Sequence, residues 1–194
     1  MARTQAADYD KKREAITDQA AKLFARDGFA GASVSELAAL CRVSKSLIYH
    51  YYPSKETILF DVMSAHIEDL LDITLLAANK SLTPEEELRT VTRTLLRHYV
   101  GAADKQKVLL YELAALSNKQ REDIVFKQRK IIALVEAILA RSKPSLKRDR
   151  ARLRAKVMLF FGMLNWTHTW FKPRGAISRD ELAEMAADTI LKSL

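Results

Sequence analysis

The sequence predicts an all-α protein of about nine helices, a small N-terminal three-helix unit followed by a larger helical one. Three observations carry that reading. Apolar residues recur at three- and four-residue steps in almost every segment, with no sustained period-two alternation. Only five glycines and four prolines interrupt 194 residues, so the elements are few and long. Hydroxyl residues stand ahead of glutamates at capping spacing, as Ser33/Glu36, Thr83/Glu86 and Ser178/Glu181.

The first helix is expected from about Tyr9 to Asp27, with Ile16, Ala20, Leu23 and Phe24 on one face and Gly28 ending it. Ser33 opens a short second helix from Val34 to about Leu40, with both arms of a Ser33–Glu36 capping box satisfied. After a break at Cys41 to Val43, Ser44 caps a third helix that ends by Tyr52, because Pro53 restricts the residue before it and cannot continue the ladder. Ser54 caps a long fourth helix with Ile58, Leu59, Val62, His66, Leu70 and Ile73 inward, broken by Asn79 to Thr83. Thr83 caps a fifth, with Pro84 at N1, that stops near Gly101. A sixth runs from about Asp104 to Leu116, a seventh from about Gln120 to Arg141 and an eighth from about Leu146 to Phe171. Ser178 and Glu181 form the capping box of the ninth, which runs to about Lys192. The domain boundary is expected at the fourth helix, dividing residues 1–56 from residues 57–194.

Composition bounds the function. Hydrophobic residues at 48% with 29% charged describe an ordinary globular chain, and a net charge of +8 suits an anionic partner. The single Cys41 excludes an internal disulfide framework and a multi-cysteine zinc site. Met1 to Glu14 is polar with no apolar core for a signal peptide, and Val157 to Trp166 is about half a bilayer span, so the expected location is cytoplasmic, with no membrane partner.

Two short helices joined by a tight turn present the second one to the DNA major groove. Ser44, Lys45 and Ser46 supply donors at the start of that helix, and Tyr49, His50, Tyr51 and Lys55 reach phosphate oxygens along the same edge, while Leu47, Ile48 and Tyr52 face the core. The strings SVSELAALCRV from Ser33 and SKSLIYHYYPSKE from Ser44 to Glu56 closely resemble the signature of the TetR family of transcriptional regulators. The resemblance covers Ile16 to Phe60. It implies that Ser33 and Tyr49 bind phosphates, that Lys45, Ser46 and His50 approach base edges, that Lys55 holds a phosphate, and that Tyr51 does either job. Arg42 stands where the family usually has glycine and Tyr52 where phenylalanine is common. If the turn is left-handed there, a non-glycine residue costs about 1 kcal/mol or more, which a guanidinium contact to the DNA backbone would offset.

The chain carries no catalytic constellation. His50, His66, His98 and His168 assemble no zinc or nucleophile motif, and no phosphate-binding glycine loop occurs, so the expectation is a non-enzyme without cofactor or metal. The informative stretch of the second domain is FFGMLNWTHTWFKPRG, Phe160 to Gly175. Two readings stand for it. Phe160, Phe161, Leu164 and Phe171 suit the homodimer seam that the TetR resemblance implies for the last two helices. Alternatively, Asn165 and Trp166 line a ligand cavity together with Met63, His66, Leu70, Leu95, Tyr99 and Phe126. The same stretch resembles TetR-family regulators that respond to acyl-CoA thioesters, and Arg141, Lys143, Lys147, Arg148, Arg150, Arg152, Arg154 and Lys156 offer charges for the phosphates of a CoA group. The expected partners are palindromic double-stranded operator DNA, a small hydrophobic effector with acyl-CoA among the candidates, and a second copy of the chain. An architectural DNA-binding dimer without a ligand is the alternative.

Overall fold

The computed structural model describes residues 2–194, with side chains from Tyr9 onward, so part of the polar stretch read against a signal peptide lies outside the described side chains. Nine α-helices and no strand occur among the described residues: α1 (Ala2–Gly31), α2 (Val34–Cys41), α3 (Lys45–Tyr51), α4 (Lys55–Ala77), α5 (Pro84–Gly101), α6 (Ala103–Tyr111), α7 (Asn118–Ser142), α8 (Arg150–Trp170) and α9 (Arg179–Lys192). None of these helices is long and apolar enough to cross a membrane.

Their boundaries follow local chemistry. α1 is broken at Gly28, whose φ of 74° and ψ of 161° is a conformation essentially reserved for glycine, and one further turn follows the break. The Thr83–Glu86 capping box is complete, each residue bonding the other's backbone. The other two boxes are half made. Ser33 and Ser178 accept from the Glu36 and Glu181 amides, but the Glu36 carboxylate turns away to Arg26, an attraction that spacing alone does not reveal. Three further boundaries differ from expectation, the first being that α1 already begins at Ala2 and not near Tyr9. α6 stops at Tyr111 and a 3-10 turn, Leu113–Ala115, follows, because the three-residue spacing from Leu113 to Leu116 suits that turn as well as an α-helix. α8 starts at Arg150 after a 3-10 turn at Pro144–Lys147, because the Asp149 carboxylate caps it by accepting from the Arg152 amide at 3.0 Å.

The chain divides into two compact units, each with its own core. The first comprises the chain up to Ile67 together with Asp104–Ile124, and the second comprises Glu68–Ala103 with Val125–Leu194. The division therefore falls inside α4, beyond the expected boundary at 56/57, and returns α6 to the N-terminal unit. Periodicity identifies α6 as a helix but carries no information on which neighbour it packs against.

In the first unit Leu23 and Phe24 of α1, Leu37 of α2, Ile48 of α3 and Ile58, Leu59, Val62 and Met63 of α4 close on one another with almost no exposure. α6 is fastened there by Lys105, 2.7 Å from Asp18, and by Lys107, which donates to the Ala25 carbonyl. The second unit packs Leu88, Val91 and Leu95 of α5, Val135 and Leu139 of α7, Val157 and Phe160 of α8 and Ala183 and Ala187 of α9. The buried face of α9 is mostly alanine, which fixes register poorly, and charge supplies the register. Arg89, Arg93 and Arg97 of α5 pair with Asp188, Glu184 and Asp180 of α9 in an antiparallel ladder; Arg93 lies 2.5 Å from Glu184 and Arg97 lies 2.6 Å from Asp180. These arginines, with Lys192 first at Asp188, hold all three carboxyls below the usual carboxylate range.

Candidate functional site

The turn between α2 and α3 is set by backbone chemistry. Arg42 takes the left-handed conformation (φ 55°, ψ 42°) that the sequence left open. The Arg42 amide donates to the Ala39 carbonyl and the Val43 amide to Ala38, which is the Schellman arrangement with arginine where glycine is easiest. Ser44 then caps α3, accepting from the Leu47 amide at 3.1 Å. Beyond that cap the exposed edge of α3 carries Ser44, Lys45, Ser46, Tyr49 and His50, with Ser33 and Arg42 also exposed on the elements before it. Lys45 Nζ sits 5.9 Å from the Tyr49 ring centroid, so ammonium and phenol share one side of the helix. Tyr51 is half-buried against Tyr9, with ring centroids 4.7 Å apart, and this contact presents its edge beside His50.

What holds α3 in place is buried on its other side. Ile48 is fully buried and Tyr52 nearly so. The Tyr52 hydroxyl donates to the Asp61 carboxylate and accepts from Arg13 Nε at 3.3 Å, and Arg13 Nη2 donates to the same carboxylate at 2.7 Å. Burial, reinforced by Asp61, raises the Tyr52 phenol well above the usual tyrosine range, so it remains a donor at every physiological pH. This triad of α1, α3 and α4 explains why tyrosine at position 52 is tolerated: its hydroxyl has two partners waiting. The sequence reading missed it, because Arg13 and Asp61 are far apart in the chain and belong to no motif.

Lys55 is corrected. Its ammonium donates to the carbonyls of Phe29 and Ala32, at 2.7 and 2.8 Å, and lies 4.3 Å from the Phe29 ring centroid. The charge that was expected to hold a phosphate instead satisfies the carbonyls after the Gly28 break, a partner that only the folded chain supplies.

Residues 16–62 match the family described as bacterial regulatory proteins, tetR family, and residues 81–194 match the tetracyclin repressor-like C-terminal domain. The chain belongs to the TetR family. Among solved structures, a TetR-family transcriptional regulator from Bordetella parapertussis 12822 is similar with a TM-score of 0.89 and 36% identity, covering 92% of this chain and 93% of its own. AibR, solved in complex with isovaleryl coenzyme A and operator DNA, is 26% identical with a TM-score of 0.80, covering 92% and 97%. The uncharacterized HTH-type transcriptional regulator YuxN of Bacillus subtilis (strain 168) is 30% identical over 92 residues, 45% of this chain and 32% of that protein. The chain thus spans about a third of the length of this curated relative.

The residues expected to line a ligand cavity are divided between the two units. Met63 and His66 lie in the core of the first unit, where His66 Nε2 is 2.8 Å from Gln106 Oε1. Leu70, Leu95 and Tyr99 are packed into the second unit. Phe126 is corrected: it is 56% exposed, with Lys130 Nζ 4.6 Å from its ring centroid, because it falls on the outer face of α7. Asn165 is half-buried. Of the eight, Trp166 alone lines the apolar groove of about 920 Å3 that α8 and α9 form with Leu96. Met158, Leu159, Trp170 and Met185 share that groove and are exposed. The basic cluster is half committed: Arg141 pairs with the buried Glu87, Arg152 with Asp149, Arg154 with Glu136, and Lys156 bonds Ser193. Lys143, Lys147, Arg148 and Arg150 are exposed beside them.

Proposed function

We propose that this protein is a dimeric repressor that binds palindromic operator DNA through α3 and is released by a small hydrophobic effector. The observation that carries the reading is the exposed edge of α3. Hydroxyl, ammonium, phenol and imidazole groups stand on one side of a helix whose opposite side is anchored by Ile48 and Tyr52. Lys45, Ser46 and His50 reach base edges, Ser33, Ser44 and Tyr49 bind phosphates, Arg42 adds a backbone contact and Tyr51 serves either surface. The net charge of +8 supports the same partner.

A second copy pairs through α8 and α9, whose exposed apolar groove supports this role, and the pair sets two copies of α3 about 34 to 36 Å apart, one turn of DNA. The effector acts on that spacing. α4 is unbroken from Lys55 to Ala77 and contributes residues to both units, so an effector that prefers a different dimer geometry weakens DNA binding by about 1 to 3 kcal/mol. An acyl-CoA is the favoured effector: AibR was solved with isovaleryl coenzyme A, and Lys143, Lys147, Arg148 and Arg150 are charges for its phosphates.

The test is a mobility-shift assay on DNA upstream of the chain's own gene, repeated with a panel of acyl-CoAs and the matching free acids. Release by the thioesters and not by the acids is expected. Equal release by the acids removes the phosphate role, and DNA binding untouched by any hydrophobic ligand favours an architectural dimer.

A further inference from the structure

Gly162 lies inside α8, where glycine is unfavourable relative to alanine. Nothing within the chain asks for it. Its backbone is not left-handed, and a Cβ built there meets no atom within 4 Å. It lines the α8–α9 groove, and its helical neighbours on the same face, Met158, Leu159 and Trp166, are exposed. Leu159 is 65% exposed and Trp166 60%, so one patch carries both a hollow and the bulky side chains that flank it.

A two-fold contact between identical chains requires that combination, because each copy must present the protrusion and receive it. Charge selects the same occupant. The groove lining contains no charged residue, whereas a net charge of +8 on each chain opposes the approach of a second copy through its basic faces.

We propose that Gly162 is the point of closest approach between α8 and a second copy of this chain, its missing side chain leaving the hollow that an apolar side chain of the other copy fills. The inference rests on the dimer reading above and gives it a position. It also predicts opposite signs for one substitution: Gly162→Ala improves the helix and spoils the contact.

Sedimentation velocity on the full chain over a range of concentrations, with far-ultraviolet circular dichroism on the same samples, tests this. Gly162→Ala is expected to keep or raise the helical signal while weakening the dimer by roughly fivefold or more, and Gly162→Leu to leave a folded monomer. A Gly162→Ala chain that dimerises as tightly as the wild type, or a dimeric Gly162→Leu chain, overturns the assignment. A wild-type chain that stays monomeric throughout removes the dimer reading itself, and the two failures are thereby distinguished.

Discussion

α3 and α8 each bury one side of a helix and leave large side chains on the other, yet their exposed chemistry is opposite. α3 shows Ser44, Lys45, Ser46, Tyr49 and His50 to solvent, groups that water already satisfies and that gain from a polar, anionic partner. α8 shows Met158, Leu159, Trp166 and Trp170, groups that gain only when water is removed. The two exposed faces therefore suit different partners, and apart from Ser44, whose hydroxyl also caps α3, their side chains add little to the fold. Stability in each unit comes from the hidden side.

The largest effects are expected from removing the hidden anchors. Phe160→Ala, at a fully buried site, is expected to cost about 3 to 5 kcal/mol, and Ile48→Ala about 2 to 5 kcal/mol, both read by denaturant unfolding. Ile48→Ala should also abolish DNA binding, since α3 has no other fully buried side chain. A smaller effect is expected at the cap. Ser44→Ala leaves the Leu47 amide without its side-chain acceptor and should cost about 1 kcal/mol, with the melting temperature as readout. Trp166→Ala sharpens the contrast from the other side. At concentrations low enough to keep the chain monomeric, its stability should change by no more than about 0.5 kcal/mol, while dimer formation measured by sedimentation falls.

The smallest effect concerns pH. The folded carboxyls of Asp180, Glu184 and Asp188 lie below their ordinary values, so their ladder stabilises the second unit above the unfolded carboxylate range, roughly pH 4, and this support is lost as pH falls through the lower folded values. The melting temperature should decline across that acid window, and less steeply in Arg93→Ala and Arg97→Ala, which already lack part of the ladder.

Most of the fold was legible because helices announce themselves locally. Ser44, Pro53 and Thr83 mark helix ends through conformations and bonds made within a few residues, and each does so in the structure, while Gly28 breaks α1 one turn before its end at Gly31. The turn at Arg42 was placed for the same reason, although its left-handed conformation was left open. What escaped depends on partners distant in sequence. Lys55 was assigned by type to a phosphate and is held by the carbonyls of Phe29 and Ala32. The Tyr52 hydroxyl bonds Arg13 and Asp61, which no motif links, and Glu36 answers Arg26 instead of its own cap. Phe126 fits the helical period yet falls on the outer face of its helix, since periodicity defines a stripe without saying what covers it. The α5–α9 ladder is visible in hindsight as arginines at four-residue spacing facing acids at the same spacing, a signal that pairwise charge patterning between helices would have found.

The proposed role of α3 is to read DNA by charge and by base edge together. Fluorescence anisotropy of a duplex carrying the upstream operator, titrated against a scrambled duplex over a series of salt concentrations, tests it most directly. Tighter binding to the operator is expected, with an affinity that falls steeply with salt, by roughly 0.9 in log K per log unit of salt for each phosphate neutralised. Equal affinity for the two duplexes with no dependence on salt would contradict it.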